Sequence, residues 1–406
     1  MDIEIRLIGE ELYEDFLRML FSSFSEQHRE DIVEAERPVF ASSRTHSAFE
    51  GDAMVGSTSA APFELTVPGG FVPCAGITSV GVLPTHRRRG VLRSLMRAQL
   101  DDIHQQGQTV AYLWASEATI YQRYGYGVGA FMGSFDIRES KNAFLRPFER
   151  RGRVRMVGRD EAMKIMPSVY ERVRTERPGF IARDDVWWKV IFRDPEYERD
   201  GATSLFYVIH EGDEGVEGYV AYRVKEGWEP SIGPDYTMTI EEMMTATDHA
   251  YASLWRYCLD VDLVRRVKGW KRPADETLLN ILMEPRAVSL SVRDGSWLRV
   301  VDARAALEAR RYAAEGRLVM DIRDESCSWN EGRWELQGGP DEATVERTDR
   351  EPDITLTAQD LAAMYLGAVR PSALARAERV EGSPETLRQA DAMFATDLAP
   401  WCPHVF

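Results

Sequence analysis

The sequence predicts a mixed α/β fold divided into more than one domain. Residues 77–107 run from a β-type stretch (77–83) through Pro84, three consecutive arginines and Gly90 into a helically spaced run that ends at Gly107. Elsewhere, β-type runs and amphipathic helical runs keep alternating, with glycine-containing turns between them. At 406 residues the chain exceeds what one ordinary hydrophobic core supports, so two or three domains are expected.

Composition narrows the function classes. A hydrophobic fraction of 44% with 10% aromatic residues describes a folded soluble protein. No apolar run of about 18 residues is present, which argues against a membrane span. The first residues, MDIEIRLIGEELYEDF, carry acids where a secretory signal needs bases and then apolar residues, so the cytoplasm is the expected location. Lys and Arg number 50 against 66 Asp and Glu, a net charge of −16. Such a balance disfavours nucleic acid as a partner, because phosphate contacts supply most of that affinity. It mildly favours cationic substrates, although a solvated acidic surface accounts for most of the charge. Cys74, Cys258, Cys327 and Cys402 are scattered without a CxxC pair, so neither a zinc site nor a disulfide framework is suggested and no metal is expected.

Taken in order, residues 1–70 open with a short strand carrying Ile3, Ile5 and Leu7. A helical stretch over 12–24 follows, with Leu12, Phe16, Met19, Leu20 and Phe24 on one side. The next stretch is polar and charged; its Glu26, Asp31, Glu34 and Glu36 are either the lining of a cation pocket or a solvated helix face. Strands around 47–49 and 54–62 are joined through Gly51-Asp52. In 77–107, Leu92, Leu95, Met96, Leu100 and Ile103 recur every three or four residues and share one helical face. A strand, an arginine- and glycine-containing turn and a helix start make a phosphate site. The first N–H groups of a helix have no internal partner and carry the positive end of its dipole. Gly90 permits close backbone approach, and Arg87, Arg88 and Arg89 add charge. A strand over 109–115 then leads to Ser116 as a helix N-cap, with Glu117 at the positive end and Tyr121 further along. Gly125 and Gly127 close that element, and a strand over 130–137 is expected to complete the first unit.

These two motifs carry a resemblance. PTHRRRGVLRSLM followed by SEATIYQRYGYG resembles the acetyl-CoA-binding core of the GNAT superfamily of N-acetyltransferases. The superfamily's phosphate motif, Arg or Gln, two residues, Gly, one residue, Gly or Ala, is matched by Arg87 and Gly90 and departs at Leu92. That departure, with the two motifs, resembles one branch: the enhanced intracellular survival (Eis) family of bacterial acetyltransferases. The resemblance implies tandem GNAT-like domains followed by a sterol-carrier-protein-like α+β domain. Residues 1–140 would be the catalytic GNAT domain, 141–287 a degenerate GNAT-like repeat without a second RxxGxG turn, and 288–406 the sterol-carrier-like domain. In the repeat, a basic, aromatic helical stretch over 168–194 contains Trp187-Trp188, read as core or interface before ligand platform, and a second long amphipathic stretch covers 245–270. The third segment has strands over 316–324 and 332–339 and helices over 356–367 and 383–395.

Site residues are implied by the same resemblance. Acetyl-CoA is the implied co-substrate. The strand holding Val80, Gly81 and Val82 can bond its pantetheine arm and polarise the thioester carbonyl. Arg88, Arg89, Gly90, Val91, Leu92 and Arg93 form the pyrophosphate turn and first helical residues, while Ser116 and Glu117 lie where two splayed strands would admit the cofactor. Tyr121 matches the family's general acid. A phenol with a pKa of about 10 is protonated at neutral pH and can protonate the departing thiolate. On spacing alone Tyr124 and Tyr126 compete with it. In the family the C-terminal carboxylate, here that of Phe406, reaches back into the site as general base, directly or through water, and Phe394, Trp401 and Phe406 are the aromatic anchors a docked tail needs. An ordinary α-carboxylate, with a pKa of about 3.5, is a weak base, and burial would strengthen it. Primary amines of aminoglycosides or similar polyamines are the implied acceptors. The competing readings are acetylation of protein lysines and non-catalytic binding of acyl-CoA or lipid. A homo-oligomer, a hexamer in the family, is the implied assembly.

Overall fold

The structure, a computed structural model, describes residues 3–27, 30–138, 143–148 and 151–406. The side chain of Asp31 and the expected domain boundary at 140/141 lie outside the described residues. The chain forms two units: Met1–Ala130 with Gly295–Pro400 and His404–Phe406, and Phe131–Asp294 with Trp401–Pro403.

The first unit is led by a seven-stranded sheet of β1 (Ile3–Ile8), β2 (Arg44–Glu50), β3 (Ala53–Val67), β4 (Gly70–Val82), β5 (Val110–Trp114), β6 (Gly127–Val128) and β7 (Ser296–Val300), in the order β1-β2-β3-β4-β5-β7-β6. β1 to β4 form an antiparallel meander, whereas β4 and β5 are parallel. Parallel neighbours need a crossover, and helix α3 (Val91–Gln105) supplies it. Leu95, Met96, Leu100 and Ile103 are buried on its inner face as their spacing predicts, joined by Val91 and Gln99.

Two elements differ from the sequence reading, and a third takes one of the two forms read for it. Helix α1 (Tyr13–Phe24) buries Tyr13, Phe16, Leu17, Met19 and Phe21, while Leu12 precedes it and Phe24 is 46% exposed. The polar stretch after it forms α2 (Glu30–Ser42). Its Val33 and Phe40 pack on Tyr13 and Phe16, and the Tyr13 hydroxyl donates to the Val33 carbonyl at 2.7 Å. Two apolar anchors among so many charges are too sparse to read as a periodic face. The strand Phe131–Arg138, expected in the first unit, lies in the second unit's sheet, and β7 completes the first. Alternation identifies a strand but not its partner.

All five residues of β7 are buried, and they pair antiparallel with β5 from Ser296↔Trp114 to Val300↔Val110. On it, fully buried Arg299 places Nη2 at 2.6 and 2.7 Å from the two Asp324 carboxylate oxygens and donates from Nη1 to the Val300 carbonyl at 2.9 Å. Breaking a buried pair from one side leaves an uncompensated charge. Arg299→Met is therefore expected to lower the unfolding free energy by about 3–5 kcal/mol, seen as a fall in the urea midpoint of the intact chain.

Within the same unit, the third segment forms a five-stranded sheet in the order Ala343–Arg347, Gly332–Gly338, Gly316–Arg323, Ile354–Thr357, Glu381–Gly382. Helices Ala303–Ala309, Ala358–Tyr365, Pro371–Arg376 and Pro384–Phe394 accompany it. Thr357 and Asp360 close a capping box on the second of these.

The second unit's sheet runs Val288–Asp294, Phe131–Arg138, Val264–Pro273, Tyr236–Thr245, Gly215–Lys225, Phe206–Gly212, Arg153–Val157. The segment expected to start the third domain at 288 thus opens with a strand of this sheet. The long amphipathic run over 245–270 divides into helix Asp248–Asp260 and strand Val264–Pro273, the latter parallel to Tyr236–Thr245. Trp187 and Trp188 are core residues, and Trp188 packs with Tyr170, Phe180 and Trp401. Trp401 donates from its indole to the Lys271 carbonyl at 2.7 Å. No helix among the described residues is long and apolar enough to cross a membrane.

Candidate active site

The site starts from a register break in β4. Ser57 of β3 faces Gly81 while Ser59 faces Thr78, so an extra residue is accommodated in β4. Ser79 there adopts φ 52°, and the Ser57 hydroxyl donates to its carbonyl at 2.9 Å. A bulge bends a strand and re-aims the residues beyond it. Pairing of β4 with β5 covers only Cys74↔Val110 to Ile77↔Leu113. Residues 78–82 therefore continue beyond β5 with backbone groups that β5 does not use.

Past β4, the turn Pro84–His86 leads to Arg88 at φ 61° and Gly90 at φ 86°, the N-cap of α3. Glycine takes this left-handed geometry without a side-chain penalty. No side chain caps the helix, so its first N–H groups stay open at the positive end of the dipole. Arg87 is spent on structure: its guanidinium donates to the Ser23 carbonyl at 2.7 Å and to the Val82 carbonyl at 3.3 Å, tying the turn to α1.

A cleft of about 220 Å³ opens between these elements. Val80, Gly81 and Val82 form one wall, Arg87, Arg88 and Leu92 the turn, and Ser116, Glu117, Ile120 and Tyr121 the opposite side. Ser23 and Phe24 of α1 complete the lining. Sequence reasoning missed those two. The apolar spacing put Phe24 on the buried side of the helix, whereas the structure leaves it 46% exposed at the cleft.

The remaining expected residues divide. Gly90 and Val91 contribute backbone at the helix start, and Val91's side chain is buried beneath it. Arg89 turns away: its guanidinium and the His86 imidazole each bond a Glu50 carboxylate oxygen, which holds that carboxyl below its usual range, the arginine contributing most. Among the described residues no carboxylate pairs with Arg88 or Arg93, and the positive charge of Arg93 is felt at Tyr124. Ser116 is not the N-cap, because the short helix α4 (Ala118–Tyr121) begins one residue later than expected, after Glu117, and the Glu117 side chain makes no cap bond. Both Ser116 and Glu117 are exposed at the cleft. Of the acids considered for a cation pocket, Glu26 is exposed, Glu34 lies 3.9 Å from Arg37 and Glu36 is half-buried, and none of these three lines the cleft.

Tyr121 ends α4 and is 5% exposed. Burial, reinforced by the nearby charges of Glu117 and Tyr124, pushes its phenol up to about 12. Tyr126, fully buried, meets it edge-on with centroids 5.8 Å apart. Burial also raises Tyr124 and Tyr126, and neither of them lines the cleft.

The last three residues belong to the same unit as the cleft. The Trp114 indole N–H donates to the His404 carbonyl at 2.7 Å. The Phe406 ring stands 5.0 Å from Phe63 of β3 and 5.7 Å from His404. It also covers Gly76 of β4 closely enough that a Cβ there would meet it at 3.1 Å. Phe406 itself is half-buried and does not line the cleft. Of the other expected anchors, Phe394 packs against Tyr312 at 5.2 Å in the third segment, and Trp401 belongs to the core of the second unit.

Residues 4–129 match an acetyltransferase (GNAT) domain family, residues 179–300 a second acetyltransferase (GNAT) domain family, and residues 303–403 a sterol carrier protein domain family. An uncharacterized N-acetyltransferase of Streptomyces avermitilis is 42% identical over 366 residues, 89% of each chain. N-acetyltransferase Eis of Mycobacterium tuberculosis is 33% identical over 359 residues, 86% of this chain and 85% of that one. The crystal structure of Eis1 from Mycobacterium abscessus superposes with a TM-score of 0.87 at 31% identity, covering 99% of this chain and all of that one.

Proposed function

The chain belongs to the Eis family of GNAT N-acetyltransferases, and from that premise we propose that it acetylates primary amines of aminoglycosides or similar polyamines. We assign Tyr121 as general acid and the Phe406 carboxylate as general base. The observation that supports this most is that one cleft brings together an uncapped helix N-terminus, an open strand edge and a buried tyrosine. The functional division we propose is 1–140 for catalysis, 141–287 as the degenerate repeat and 288–406 as the sterol-carrier-like part. The assembly we propose is a homohexamer, which light scattering of the purified chain tests.

The residues present suit acetyl-CoA, the co-substrate of GNAT domains. It supplies the activated acetyl group. Open N–H groups from Gly90 onward, with the Arg88 guanidinium, hold a diphosphate. The unpaired edge at Val80, Gly81 and Val82 bonds an amide-bearing arm and donates to the thioester carbonyl as negative charge develops there. Tyr121 gives its proton toward the sulfur. The Phe406 carboxylate accepts a proton from the attacking amine, directly or through water. The corresponding helix of the second unit, Asp248–Asp260, lacks this capacity: the Thr247 hydroxyl accepts from Ala250 N–H at 3.2 Å and Asp248 adds negative charge to the first turn. That contrast supports a single catalytic site.

Thiol release measured with aminoglycosides, aliphatic diamines and lysine peptides tests the proposal. Fastest turnover on the aminoglycosides and polyamines is expected. Turnover confined to lysine peptides would favour protein acetylation, and acyl-CoA binding without turnover on any amine would overturn the enzyme reading. Arg88→Ala is expected to raise KM for acetyl-CoA about tenfold with little change in kcat, the effect of losing one charge-assisted contact of about 1.5 kcal/mol.

A further inference from the structure

We infer that Trp114 is a positioning residue for the C-terminal carboxylate: its hydrogen bond to the His404 carbonyl latches the end of the chain to the end of β5. The inference rests on the proposed role of that carboxylate as the base.

Trp114 is the last residue of β5 and precedes Ser116, a lining residue of the cleft, by two positions. A bond from its indole therefore ties the tail to the strand end that shapes the site. An indole N–H at a half-buried position needs an acceptor, and at 2.7 Å the His404 carbonyl provides a short one. His404 is fully buried, Val405 is 40% exposed and Phe406 is half-buried. This in-out alternation is that of an extended segment. Two further residues span at most about 7 Å, so fixing the His404 carbonyl confines the carboxylate to a short arc. Phe63, His404 and Phe406 then close a three-ring cluster with centroids 5.0 to 5.7 Å apart, all tilted or edge-on. The rings hold the terminal side chain, and the latch sets how far along β4 and β5 the carboxylate reaches. Without the latch, His404 and Phe406 would keep their ring contacts with Phe63 but lose the hydrogen bond that ties the tail to Trp114 at the end of β5.

A merely structural Trp114 would affect the enzyme whether or not Phe406 is present, so a double-mutant cycle separates the two roles. Trp114→Phe keeps an aromatic ring and removes the donor. In the full chain it is expected to lower kcat about tenfold with KM for acetyl-CoA unchanged. In the chain ending at Val405 it is expected to cause no further loss. Equal losses in both backgrounds, or full kcat for Trp114→Phe in the full chain, would overturn the latch. Full kcat for the chain ending at Val405 would instead overturn the base role on which the latch depends. If Trp114→Phe fails to fold, one glycine added after Phe406 tests the same point without touching a packed residue. It displaces the carboxylate by about 3.8 Å, and a loss of kcat at unchanged KM is expected; undiminished kcat would overturn the inference.

Discussion

Tyr121→Phe is expected to lower kcat for amine acetylation about a hundredfold while leaving KM for acetyl-CoA essentially unchanged. The substitution keeps the ring, which packs edge-on against Tyr126 in a cluster of buried residues, so folding should be spared. Only the hydroxyl goes. Positioned general acids contribute about 10² to 10⁴, and the lower end is expected here for a physical reason. Burial first, then Glu117 and Tyr124, hold the phenol at about 12, whereas an ordinary thiol titrates at about 8.5. Complete proton transfer to sulfur is thus uphill, and part of the gain comes from hydrogen bonding to the charge as it develops. The same shift sets the sign of the pH effect. A raised pKa keeps the acid protonated throughout the neutral and mildly alkaline range, so kcat should not fall between pH 7 and 10 through loss of this proton. An alkaline decline centred near pH 8.5 that vanishes in Tyr121→Phe would assign the step to a phenol less buried than this one.

Legibility in the sequence was local. The strand, turn and helix of residues 77–107 could be read because every signal in it is short-range: β-type residues, Pro84, the arginines, Gly90 and a three-four apolar spacing. The element that receives Tyr121 could be read from Gly125 and Gly127 in the same way. Parts of the site assembled from distant residues were not legible. β7 enters the sheet from position 296, and nothing in its alternation names β5 as its partner. Arg89 is drawn off by Glu50, 39 positions away, so three consecutive arginines that look equivalent have three fates: Arg87 braces α1, Arg88 faces the cleft and Arg89 forms an ion pair. The inner face of α2 was not legible, although a helix was one reading of the stretch, because Val33 and Phe40 are nearly its only buried anchors. Helix α4 starts one residue later than its serine suggested, since Glu117 holds the extended N-cap geometry without making a cap bond.

A chain ending at Val405 should show kcat lowered about a hundredfold, with KM for acetyl-CoA and the affinity for CoA unchanged, because no residue of the tail lines the cleft. Phe406→Ala separates the two things that this deletion removes. It keeps a terminal carboxylate and loses the ring contact with Phe63 at 5.0 Å. An aromatic pair of this kind is worth about 0.5–1.5 kcal/mol beyond its buried area, so weaker docking should cost kcat no more than about tenfold. If the carboxylate is the base, the deletion must therefore be clearly more damaging than the alanine variant. If the ring alone matters, the two should be alike. Their ratio, measured with one aminoglycoside at saturating acetyl-CoA, decides whether the last residue of the chain acts through its charge or through its packing.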